Sequence, residues 1–73
     1  MSSDNFIAVF EDNDKWYVSH GMMPQIETPA DLDQFQSGVI AKNQPFSSRA
    51  DALIAAHDQV KKERIVEYGV IEL

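Results

Sequence analysis

Apolar residues cluster along the chain in short blocks with different periods. Asn5 to Phe10, N-F-I-A-V-F, is apolar and rich in strand-forming side chains. Glu11 to Lys15, E-D-N-D-K, breaks the block with residues that tolerate left-handed backbone. Trp16 to His20, W-Y-V-S-H, resumes it, and Gly21 is expected to end it. Two strands around a polar turn predict a β-hairpin. Its register stays open. A two-residue loop at Asn13-Asp14 places Ile7 and Val9 on one face with Trp16 and Val18. A three-residue loop places Phe6 and Phe10 there instead, because a one-residue slip exchanges faces.

Met22 to Glu27 has no period and reads as a loop. A helix follows over about 29–37. Thr28 is its cap, Pro29 fits the first position, and Asp31 suits the positive helix start. Leu32 and Phe35 face inward, and Gly38 is expected to stop the helix. Val39-Ile40-Ala41 suits a short strand, and Lys42 to Pro45 a turn.

The main helix opens at Ser48, again with an acid three residues later at Asp51, and runs to about Glu63. Lys61, Lys62 and Arg64 complement the dipole at its end. Residues 65–73 predict a last strand. Val66, Tyr68 and Val70 share one face of it, and Ile65, Ile71 and Leu73 the other. The order predicts a single α+β domain over 1–73. It has a small antiparallel or mixed sheet, the N-terminal hairpin plus the C-terminal strand. One main helix packs across one face, with a short additional helix.

On the main helix, steps of about 100° put Leu53, Ile54 and Val60 in one arc, with Ala50 and Ala56 beside them. His57 falls near the centre of that arc, so it is expected to point at the sheet. Three roles compete for it. The first is a neutral core residue bonded to a backbone carbonyl or a tyrosine hydroxyl. The second is a pH-sensitive group, since burial moves histidine titration. The third is a ligand or general base acting with His20. One imidazole without a partner at fixed spacing favours the first.

Seventy-three residues bury a modest core, and many small domains add a disulfide, a metal or a partner. There is no Cys, which excludes disulfides and thiolate metal sites and suits a reducing compartment. The start lacks the basic and apolar regions of a signal peptide, and no apolar run is long enough to span a bilayer. These features lead us to expect a cytoplasmic protein, and the small size and lack of Cys a microbial one. Net charge is −6. The acids concentrate in residues 1–48, with seven against Lys15 and Lys42. Such a field opposes direct binding to nucleic acid or to an anionic membrane.

Most chemical motifs fail on inspection. Asp12-Asn13-Asp14 begins like a calcium loop, but Tyr17 stands where glycine is required and Met23 where the final glutamate belongs. The scattered glycines form no phosphate loop, and no serine sits in a nucleophile elbow. His20 and His57 with a carboxylate match a two-histidine metal set in number only. We therefore expect no enzymatic role, no cofactor and no resident metal.

What remains is surface. One helix covers one face of a sheet, so aromatic and aliphatic residues on the other face stay exposed unless the short helix and the 21–46 segment cover them. Exposed, they would bind another protein or a second copy. Trp16, Tyr17 and Tyr68 are the expected anchors, with Met22 and Met23 as adaptable apolar neighbours. A first alternative is an acidic inhibitor of the phage or mobile-element kind. It would imitate nucleic acid with Glu11, Asp12, Asp14, Glu27, Asp31 and Asp33. A second is a small-ligand or metal site at His20 and His57.

Overall fold

A computed structural model describes residues 4–63 and 66–73. Strands β1 (Asn5–Asp12) and β2 (Lys15–Met22) form the hairpin. Asp12 pairs with Lys15 and Val9 with Val18, which selects the two-residue loop. Asn13 and Asp14 hold it with φ of 52° and 63°. Both lie in the left-handed region, whose twist matches that of the flanking strands. β2 continues through Gly21 to Met22, one residue beyond the expected stop.

Helix α1 spans Pro29–Lys42, and helix α2 spans Arg49–Lys62. Thr28 and Ser48 cap them as expected, accepting from the backbone N–H of Asp31 at 3.1 Å and of Asp51 at 3.2 Å. Gly38 does not end α1, and residues 39–41 are helical rather than a strand. The reason is packing. Val39 is buried beside Phe10 and Tyr17, with Ile40 against the same cluster, and this outweighs the modest helix cost of one glycine. Asn43 ends the helix instead. Its backbone N–H donates to the Val39 carbonyl at 2.8 Å, and its side chain donates to the Val18 carbonyl at 2.9 Å.

Strand β3 is short, Val70–Glu72, and pairs parallel to β1. The sheet is therefore mixed, in the order β2-β1-β3. The expected long last strand is interrupted at Gly69, whose φ is +68°. The chain still follows β1 on either side of it. Tyr68 N–H donates to the Asn5 carbonyl at 3.0 Å, and Leu73 N–H to the Val9 carbonyl at 2.8 Å. Arg64 and Ile65, placed by sequence at the helix end and the strand start, lie outside the described residues.

Both faces of the sheet are covered. On one, Ile7 and Val9 of β1 meet Ala52 and Ala56 of α2, with Trp16 and Val18 around them. On the other, Phe10 and Tyr17 meet Val39 and Phe35 of α1. The central strand is sealed: Phe6, Ile7, Ala8 and Val9 are all fully buried. This resolves the expected exposed face in favour of coverage by the first helix.

The phase of α2 differs from the expected one. Ala52 and Ala56 face the sheet, His57 is exposed, and Ile54 is 69% exposed. The core reading of His57 is thereby corrected. Ile7, Val9, Trp16 and Val18 already fill the space above this face, so the helix meets them with methyl groups. Large against small gives close packing. Leu53 and Val60 contact the core from the flank.

Candidate functional site

The residues singled out by sequence occupy quite different places. Tyr17 is buried, its ring stacked on Phe10 at 5.5 Å between centroids. It is a core residue. Trp16 is half-buried against the α2 face. Its backbone is closed on both sides by Phe46, through N–H to carbonyl bonds of 2.9 and 2.7 Å. Trp16 thus ties the 43–46 segment to the outer edge of β2. Met23 is half-buried at the start of a single 3-10 turn, Met23–Ile26.

Met22 and Tyr68 remain open, at 42% and 47% exposure. The sheet brings them to one end of the molecule. Met22 is the cross-strand partner of Asn5, and Tyr68 donates its backbone N–H to Asn5 from the other side. Adjacent strands lie about 4.8 Å apart, so the two backbones stand about 10 Å from one another across Asn5. Asn5 itself is buried. The Tyr68 hydroxyl lies 3.5 Å from a carboxylate oxygen of Asp4. The negative charges of Asp4 and Glu67 hold its phenol proton above the ordinary range, so Tyr68 presents a neutral O–H.

Strand direction separates the acidic residues into two groups. Glu11, Asp12 and Asp14 sit at the hairpin tip. Glu27, Asp31 and Asp33 follow Met23, whose N–H donates to the Asp4 carbonyl at the opposite end. An eight-residue strand spans roughly 25 Å, so the two groups do not form one continuous stripe. Asp31 also serves the first turn of α1.

The two histidines are placed differently from one another. His20 pairs with Ile7, and strand alternation turns its ring toward the α2 side. Its Nε2 is buried and has no hydrogen-bond partner among the described residues. His57 stands on the outer side of α2. Among the described residues no group of three His, Cys, Asp or Glu side chains is arranged to hold a metal ion.

Three concave places among the described residues are open grooves. One, of about 290 Å³, lies between the outer edge of β2 and α1, lined by His20, Gln34, Phe35 and Gly38 among others. No helix among the described residues is long and apolar enough to cross a membrane.

Ile54 is the exposed residue that the hydrophobic pattern misplaced. Its signal was the alanine pair at positions 52 and 56, one turn apart, which marks a close-packing face. No protein-family model, no curated protein and no solved structure matches this chain.

Proposed function

We propose that this chain is a non-enzymatic protein-interaction module, acting in the cytoplasm of a microbial cell. It engages another protein through the end of its sheet, with Met22 and Tyr68 as the contact pair. The observation that carries this reading is the exposure of these two large apolar side chains on either side of Asn5, while both sheet faces are closed. Tyrosine offers contact area and a hydroxyl at low entropic cost, and methionine adapts to the surface it meets.

The test is recovery of partners by the tagged protein from lysate of its source organism, at about 0.1 M and about 0.5 M salt. An apolar contact retains its partner at the higher salt. Loss of every partner at the higher salt would instead favour charge-driven binding by the acidic groups.

A further inference from the structure

The fold closes one edge of its sheet and leaves the other open. On β2 the backbone groups of Trp16, Val18, His20 and Met22 face away from β1. Each of these residues has a partner on that side. Phe46 bonds both backbone groups of Trp16, at 2.9 and 2.7 Å. The Asn43 side chain donates to the Val18 carbonyl at 2.9 Å, and the Ser19 hydroxyl to the His20 carbonyl at 3.4 Å. The Met22 N–H donates to the Gln25 side chain at 2.8 Å. Side-chain amides and the 43–46 segment stand where a further strand would pair.

Strand β3 has no such cover. Ile7 donates to the Gly69 carbonyl and Leu73 to the Val9 carbonyl, both at 2.8 Å. In a parallel ladder this parity turns the N–H and C=O groups of Val70 and Glu72 away from β1. Among the described residues no hydrogen bond reaches those backbone groups. The side chains are open to a neighbour as well. Val70, Ile71 and Leu73 are each half-buried, with Val70 and Leu73 resting on the two cores. Glu72 is the one ionic side chain of β3, and the Arg49 fork neutralises it at 2.8 and 2.7 Å. An apolar edge with uncovered backbone groups is a template for one more strand.

Charge chooses between occupants. A second copy brings its own −6 against this chain's −6. A segment carrying Lys or Arg is drawn in by the same field.

We propose that an extended, cationic segment of a partner protein adds to the sheet beside β3, bonding the backbone of Val70 and Glu72. Its residue level with Ile71 lies on the α1 side, where an apolar side chain covers Ile71 and Leu73. The neighbouring residues turn to the α2 side beside Val70 and Glu72, and there they are polar or cationic. Main-chain bonds supply the affinity and the alternating side chains the selectivity. The inference rests on the protein-interaction reading above and gives the form of the partner. Tyr68 lies just before β3 and adjoins both surfaces.

The probe is a set of random linear peptides, displayed in many copies and selected on the purified chain. The selected peptides are expected to alternate apolar with polar or cationic residues and to bind singly with a dissociation constant on the order of 100 μM. N-methylation along the peptide backbone raises that constant by at least about 10-fold at every second residue and little between them, since a strand bonds its neighbour through alternate residues. In the chain, Glu72→Pro removes an outward N–H, which an edge strand tolerates, and weakens binding by at least about 10-fold. Glu72→Gln binds as wild type, which separates the lost N–H from the lost charge. Far-ultraviolet circular dichroism verifies that each variant is folded, and the methylation series leaves the chain untouched. Selection of no binder overturns the proposal, as does a methylation effect without alternation, or a folded Glu72→Pro that binds as wild type. A dimer of the chain that Glu72→Pro abolishes gives the edge to a second copy and overturns it too. The Met22→Ser, Tyr68→Ala double variant separates the two readings. Peptide binding lost in Glu72→Pro but kept in the double variant supports strand addition without the sheet-end contact. The reverse supports that contact and overturns strand addition.

Discussion

Gly21 of β2 stands directly across from Phe6 of β1, and the Phe6 ring fills the space a side chain at Gly21 would need. A Cβ there would lie 2.8 Å from Phe6 Cζ and 2.9 Å from Phe35 Cζ. The two rings meet edge to face, 6.1 Å apart. Glycine is thus what lets the aromatic pair join β1 to α1. Gly21→Ala is expected to lower stability by about 1–3 kcal/mol, read from the midpoint of urea unfolding. An unchanged midpoint would mean that the rings are free to move aside.

The orientation of α2 makes a paired prediction. Ala56 is fully buried and Ile54 is not. Ala56→Leu forces a large side chain between helix and sheet and costs about 1–3 kcal/mol. Ile54→Ser and His57→Leu change stability by no more than about 0.5 kcal/mol, as surface substitutions do. The opposite ranking in thermal unfolding would restore the phase read from hydrophobicity alone.

Much of the fold was legible in local chemistry. The capping pairs Thr28 with Asp31 and Ser48 with Asp51 located both helix starts. The polar turn located the hairpin, although two registers remained open until Asp12 was seen opposite Lys15. What sequence misread was settled by packing. Gly38 resembles a stop, yet Val39 one residue later is drawn into the core. Hydrophobicity turned Ile54 inward, yet the bulky surface of β1 and β2 accepts alanine better. Among the candidate contact residues, Tyr17 and Tyr68 have the same side chain and strand-like surroundings in sequence. Only the position of α1 over Phe10 separates a core tyrosine from a surface one.

The hairpin tip holds two non-glycine residues in left-handed backbone. The second of them, Asp14, has φ of 63°. Asp14→Gly relieves that conformation and is expected to stabilise by about 0.5–1 kcal/mol, net of the added freedom of the unfolded chain. Thermal unfolding of the single variant checks it.

His20 buries a ring nitrogen that has no hydrogen-bond partner among the described residues. An unsatisfied buried polar atom carries a desolvation cost, so His20→Leu is expected to raise stability by about 1 kcal/mol. A loss of similar size in urea unfolding would show that the imidazole makes a needed polar contact.

Arg49 forks onto Glu72 with bonds of 2.8 and 2.7 Å, joining the start of α2 to β3. These hydrogen bonds hold the Glu72 carboxyl below the ordinary glutamate range. The sign follows directly. The pair's contribution is complete above the unfolded glutamate value and is lost as pH falls through the depressed folded value. Both groups are exposed, so the effect on stability is small and screened by salt. Carboxyl-detected NMR titration should place Glu72 below an ordinary glutamate, and Arg49→Gln should return it to that range.

The proposed contact at the end of the sheet is tested most directly by its own removal. The measurement is quantitative recovery of high-salt partners by wild type and by the Met22→Ser, Tyr68→Ala double variant, from the same lysate. Both sites are exposed, so the variant should keep its fold, which circular dichroism verifies. The prediction is a specific partner bound by wild type at about 0.5 M salt and lost by the folded double variant. Undiminished recovery of that partner by the variant would contradict the account.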